Sequence, residues 1–182
     1  MTNEIPDSIE SAPRHSQALL TGIQTQLGIV PSLFRLVSLS PTALDGFTAV
    51  FRAAHDDGLS PALRSGIALA VCEAHEDSYG LSMHRFLAKR DVGLDEQEIV
   101  ANRDGQSRDP QRQAALKFAL KVLHAKGQVS SGELDALHEA GFTKTNIIEI
   151  VQHIAFTIWS CYLSSVASLP AEFPLIVPRS RA

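Results

Sequence analysis

A chain of 182 residues with a formal charge of −4, a pI near 5.9 and a hydrophobic share of 45% is long enough for one sizeable core and carries no electrostatic footprint for nucleic acid. Lysine and arginine are scattered, no apolar run approaches the roughly 18 residues of a membrane span, and the acidic, polar opening MTNEIPDSIE is not a secretory signal. The expected setting is the cytoplasm, with neither membrane nor nucleic acid as partner, and the two distant cysteines, Cys72 and Cys161, are expected there as reduced thiols in apolar helical stretches.

Residues 1–11 show no periodicity and are expected as a mobile lead-in. From about Pro13, Leu19, Leu20, Ile23 and Leu27 mark one face of a helix that Gly28 stops. Pro31 to Leu39 reads as a helix of about two turns. Ser40-Pro41 is a cap followed by a proline that suits the first helical position; the helix it opens is expected to run to Gly58. Ser60-Pro61 repeats that signal ahead of Leu63, Ile67, Val71 and Ala74, and a polar joint, His75-Glu76-Asp77-Ser78, separates this helix from a second stripe of Tyr79, Met83, Phe86 and Leu87. Asp95 with Glu98 is a capping-box pattern, Asn102 to Arg108 is a polar loop, and Asp109-Pro110 starts a helix that Gly127 closes. Ser130 with Glu133 is a second capping box, ending at Gly141. Thr143 caps a long final helix carrying Ile147, Val151, Ile154, Ile158 and Cys161, after which Pro170, Pro174 and Pro178 forbid further helix. No period-2 run argues for a strand. The reading is an all-α chain of seven or eight helices, with one domain over 12–169 and an extended tail over 170–182.

The stretch Leu59 to Arg90 resembles the core of the alkylhydroperoxidase D-like and carboxymuconolactone decarboxylase superfamily. The peroxidase branch carries a glutamate, eleven residues, then Cys-x-x-Cys-x-x-x-His, with tyrosine before the second cysteine. Laid on this chain without a gap, the histidine is His84 and the tyrosine is Tyr79. The cysteines fall on Asp77 and Gly80 and the glutamate on Ser65. Further pieces that are similar to the family are Ile29 through Arg35, Val92 through Ile99, and Ala140 through Val151. The resemblance implies an AhpD-like helical fold, a homo-oligomer, and a motif stripped of the dithiol that reduces peroxides by a sulfenic acid and its resolution to a disulfide.

Three readings of function follow. One is a divergent member without dithiol alkylhydroperoxidase activity. A second, drawn from the decarboxylase branch, is a non-redox enzyme on a small carboxylated substrate, with His84, Asp77 and Tyr79 as its site. Asp77 lies seven residues before His84 and is expected on the same helical face, about 10 Å away along the axis, so that the two would flank a ligand. The third is a residual antioxidant peroxidase running on Cys72, with His75 as a positive neighbour. Glu73, His75, Glu76, Asp77 and His84 are dense in metal-ligand types, but none repeats the His-x-x-x-His or Glu-x-x-His spacing, so no metal is expected, and no cofactor. Trp159 and Tyr162 on the last helix are expected at an interface between copies.

Overall fold

The computed structural model describes residues 5–56 and 58–181; residues 1–4 of the expected lead-in and residue 182 of the expected tail lie outside them. Among the described residues there are nine α-helices and no strand: α1 (Arg14–Leu27), α2 (Ser32–Val37), α3 (Pro41–Ala53), α4 (Pro61–Ala74), α5 (Ser78–Leu87), α6 (Glu96–Arg103), α7 (Pro110–His124), α8 (Ser131–Glu139) and α9 (Lys144–Ala167). The count is one above the expected seven or eight, and the short α2 and α6 stand where the two-turn helix at Pro31 and the capping pattern at Asp95 were expected.

The starts follow local chemistry. The Ser40, Ser60 and Asp109 side chains accept the N–H three residues on, each ahead of a proline at the first helical position. Ser130 with Glu133 and Thr143 with Asn146 form reciprocal capping boxes. At the expected third box, Asp95 accepts from the Glu98 N–H, but Glu98 does not reach back. Its buried carboxylate instead accepts from Ser107, Arg108 and Arg112, because three donors from the loop and α7 converge on it. Helix α3 stops at Ala53 rather than Gly58. The His55 and Asp56 N–H groups both turn back to the Arg52 carbonyl, while the His55 ring meets the Phe51 carbonyl at 2.8 Å. After α5 the chain widens into one π-helical turn, Ala88–Val92, closed by Gly93 at φ 73°.

Helix α4 is the axle. It packs against α5, α6, α7 and α9, and buries Leu63 and every residue from Gly66 through Cys72. A helix buried nearly all round needs close neighbours, hence its small residues; a Cβ at Gly66 would sit 3.1 Å from Leu116 Cδ2. One core cluster joins α1, α2 and α3 to Tyr79 and Met83. A second joins α4, α7 and α9, and a third gathers Leu69, Cys72, Leu81, Ala88, Ile99 and Cys161.

The flanking segments are packed rather than bare. Ile5 and Ile9 lie against the first cluster, so the described part of the expected mobile lead-in is anchored by apolar contact. The tail is extended up to one 3-10 turn, Arg179–Arg181, and forms a strap: Glu172 pairs with Arg35 at 2.7 Å, the Ile176 N–H donates to Ser82 Oγ, and the Arg179 N–H donates to Glu73. Helix α9, at 24 residues, is long and apolar enough to meet the length and composition of a membrane span, which reading the sequence for an uninterrupted apolar run did not register. Its inner face, with Ile150, Ile154 and Cys161, is core; a buried core helix satisfies the same test.

Candidate functional site: a cavity at His84

Helices α2, α3, α4, α5 and α9 leave a cavity of about 350 Å3 between them. Its apolar wall is aromatic: Phe34, Phe47, Phe51 and Phe156. Phe34 meets Phe47 and Phe51 edge-on at 5.3 Å, and Phe47 lies 4.8 Å from Phe156, spacings at which ring quadrupoles attract and hold the wall rigid. The polar lining includes three histidines, His55, His84 and His153, with Arg64 and Ser65 from α4, Thr157 and Ser160 from α9, Gln26 from α1 and Asp91 from the turn after α5. His153 Nε2 lies 2.8 Å from the Ala54 carbonyl and His55 Nδ1 lies 2.8 Å from the Phe51 carbonyl. A carbonyl only accepts, so each of these nitrogens carries the proton and the two rings are oriented by backbone. Arg64 donates to the His55 carbonyl at 3.0 Å.

His84 sits on the last turn of α5, partly buried, with a face on the cavity. Burial pushes its pKa down to about 4, and the neighbouring His153 and His55 push the same way. At neutral pH it is therefore a neutral imidazole, able to accept a proton. The folded chain takes up the His84 proton only near pH 4, whereas the unfolded imidazole does so near 6.5. Between those values the unfolded chain holds more protons, so stability rises with pH across the window and is complete above it. His84 keeps part of its surface open to cavity water, which screens the charge, so the loss on acidification is about 1–2 kcal/mol. Urea unfolding of the wild type and His84→Gln at about pH 7 and about pH 4.5 checks this; equal slopes with pH would sink the neutral assignment.

The sequence-derived residues divide between two places. Ser65 and His84 line the cavity. Asp77 does not share their face. It is the N-cap of α5, with extended backbone (φ −89°, ψ 94°), and its carboxylate folds over the helix start to accept the Tyr79 N–H at 3.1 Å. A capping residue does not follow the helical face that its spacing from His84 implies. Asp77 is buried with Cys72 and Cys161, and one ligand atom from each lies within 4.8 Å of the others. Burial raises the Asp77 pKa; the Gly80 N–H, the Ser164 hydroxyl, the Cys161 thiol and the Tyr79 N–H counteract it. Gly80 belongs to this second place: a Cβ there would lie 2.5 Å from Asp77 Oδ2 and 2.6 Å from Cys72 Sγ.

Cys72 does not line the His84 cavity. Its Sγ lies 3.7 Å from that of Cys161, and this contact together with burial pushes its thiol well above the usual range. His75 turns to the Val71 carbonyl at 3.0 Å. Tyr79 is also away from the cavity: its hydroxyl accepts the Leu33 N–H at 3.1 Å and donates to Glu172 at 3.2 Å, holding the start of α2 to the tail strap. Burial raises its pKa further above the tyrosine range. His55, His153 and the phenylalanines are not site residues in the sequence reading, since only tertiary packing of α3 against α9 brings them together. The signal that existed was two histidines, His55 and His153, each at or near the buried stripe of an otherwise apolar helix.

Residues 41–125 match the carboxymuconolactone decarboxylase family. No curated protein matches the chain. Similar solved structures include an uncharacterized peroxidase-related protein from Ralstonia eutropha JMP134 described as an alkylhydroperoxidase AhpD core, with 24% identity over 92% of this chain and 90% of that one and a TM-score of 0.76. An uncharacterized peroxidase-related protein from Silicibacter sp. TM1040 gives 24% identity over 87% and 85%, with a TM-score of 0.76. The debrominase Bmp8, as a cysteine-to-alanine variant in complex with 2,3,4-tribromopyrrole, gives 20% identity over 94% and 92%, with a TM-score of 0.78. The helical fold is the AhpD-like one.

Proposed function

We propose that this chain, whose residues 41–125 match the carboxymuconolactone decarboxylase family, is a divergent member of the AhpD-like and carboxymuconolactone decarboxylase superfamily that takes a small carboxylated ring compound into the His84 cavity and acts on it without a thiol. One observation carries the reading: the cavity is lined by His84, Ser65, Arg64 and four phenylalanines, and by neither cysteine. A space of about 350 Å3 with an aromatic wall suits a single-ring molecule. The Arg64 guanidinium suits a carboxylate, and neutral His84 is placed to take a proton from the bound molecule, with the Ser65 hydroxyl on the same lining. The similar debrominase holds a substituted five-membered ring, which supports an occupant of that size.

Asp77 and Gly80, at the positions where the resemblance puts cysteines, leave the dithiol alkylhydroperoxidase mechanism without its sulfurs. A peroxidase centred on Cys72 is disfavoured by that thiol's burial and raised pKa, the opposite of a reactive cysteine's surroundings. Calorimetric titration with benzoate and a panel of ring carboxylates tests the proposal. The expected result is binding that weakens tenfold or more in His84→Gln, about 1.4 kcal/mol. Binding indifferent to that substitution, no binding by any of the panel, or turnover of an organic hydroperoxide above the dithiol-reductant blank would each overturn it.

The outer face of α9 supports a second element of the proposal, a homo-oligomer. Ile148, Val151, Trp159, Tyr162 and Val166 recur there at helical spacing and are exposed, an apolar stripe too long to leave in water. Light scattering on the full chain giving the mass of a single copy would remove it.

A further inference from the structure

The third core cluster contains a feature that the His84 chemistry does not use. Cys72 on α4 and Cys161 on α9 are 89 positions apart in sequence, yet their sulfurs are 3.7 Å apart, both buried. The carboxylate of Asp77 lies within 4.8 Å of both. Among the described residues, these three are the one group of potential ligand or redox side chains so closely gathered. We infer that Cys72 and Cys161 form an interior redox site, in which one molecule of hydrogen peroxide converts the paired thiols to a disulfide that bolts α4 to α9.

The geometry allows the step with little motion. The sulfurs must close from 3.7 Å to about 2.05 Å, within the reach of side-chain rotation on two packed helices. The pair lies just beyond the cavity wall: Cys72 is one helical turn past Ala68, Cys161 follows Ser160, and both Ala68 and Ser160 line the cavity. An oxidant of two oxygen atoms is small enough to pass that layer, whereas a bulky organic hydroperoxide is not. Asp77 makes Cys161 the attacking sulfur. It is the basic group in contact with that thiol, and burial raises its proton affinity.

Asp77 takes the Cys161 proton and the thiolate attacks one peroxide oxygen. The O–O bond breaks, and the departing hydroxide recovers the proton from Asp77 and leaves as water, with Cys161 now a sulfenic acid. The Cys72 sulfur then displaces the sulfenic hydroxyl, which leaves as a second water with the Cys72 proton. Two thiols have lost two electrons, and one peroxide has become two waters. The buried disulfide is shielded from dithiol reductants, so the step is stoichiometric and does not cycle. It goes beyond the ligand chemistry proposed for His84 and survives that proposal's failure.

The test counts thiols in the full-length protein. Samples before and after hydrogen peroxide are denatured, alkylated and mapped by mass spectrometry. The expected result is both thiols alkylated before treatment, neither afterwards, a linked Cys72–Cys161 peptide, and an unfolding midpoint that moves up. In Cys72→Ser, or Cys72→Ala if the serine variant does not fold, Cys161 should stop as a sulfenic acid that dimedone traps. Thiols that remain alkylatable after peroxide would overturn the site, as would independent over-oxidation of each sulfur. Protection that a chelator reverses would also overturn it, by showing a metal held on Cys72, Asp77 and Cys161 instead.

Discussion

Phe47→Ala should lower the unfolding free energy by about 3–5 kcal/mol, the largest single-residue effect expected in this chain. Phe47 is fully buried, and its ring is shared by everything around the cavity: Phe34 at 5.3 Å, Phe156 at 4.8 Å and Trp159 at 5.0 Å. Truncation removes the transfer free energy of the ring and opens a hole against partners that are themselves wedged between α2, α3 and α9. Because one side of Phe47 faces the existing cavity, neighbours have room to relax only toward it, and collapse there would shrink the ligand space. Urea unfolding of the variant gives the stability, and benzoate titration gives the ligand consequence. A loss below about 1 kcal/mol would show that the aromatic wall is loosely packed.

Gly80→Cys, which writes back the second cysteine of the related motif, should cost about 2 kcal/mol rather than restore activity. The added Cβ would lie 2.5 Å from Asp77 Oδ2 and 2.6 Å from Cys72 Sγ, both on side chains fixed by burial. Part of that clash belongs to Asp77. Asp77→Cys alone is also costly, since it removes the N-cap of α5 and the acceptor of the Tyr79 N–H. The double variant should therefore be more stable than the sum of the single losses by about 1 kcal/mol. A double-mutant cycle by chemical denaturation measures this. Strict additivity would mean that Asp77 and Gly80 do not occupy their positions as a matched pair.

Most of the architecture was legible because it is written locally. Serine or aspartate followed by proline fixed three helix starts, and Ser130 with Glu133 fixed another, since capping chemistry spans four residues. Where a residue's partners lie far along the chain, the reading failed. Glu98 was read as a capping-box member and is instead claimed by Ser107, Arg108 and Arg112. Asp77 was placed beside His84 by counting residues, but a cap is the position where helical periodicity does not yet apply. Cys161 was read as an isolated buried thiol, and its proximity to Cys72 depends on how α9 crosses α4, which no local pattern encodes. The same holds for the cavity: His84 and Ser65 were reachable from the motif frame, whereas the phenylalanine wall assembles from three separate helices.

The chain contains one tryptophan, Trp159, and its indole lies 5.0 Å from the Phe47 ring on the far side of the cavity wall, with about a third of its surface in water. The protein thus carries a built-in optical gauge at a single known position. Any displacement of Phe47 by an occupant is passed directly to the indole, whose emission responds to its polarity. Filling of the interior space is then readable from intrinsic fluorescence without a label, in a background where only Tyr79 and Tyr162 otherwise contribute.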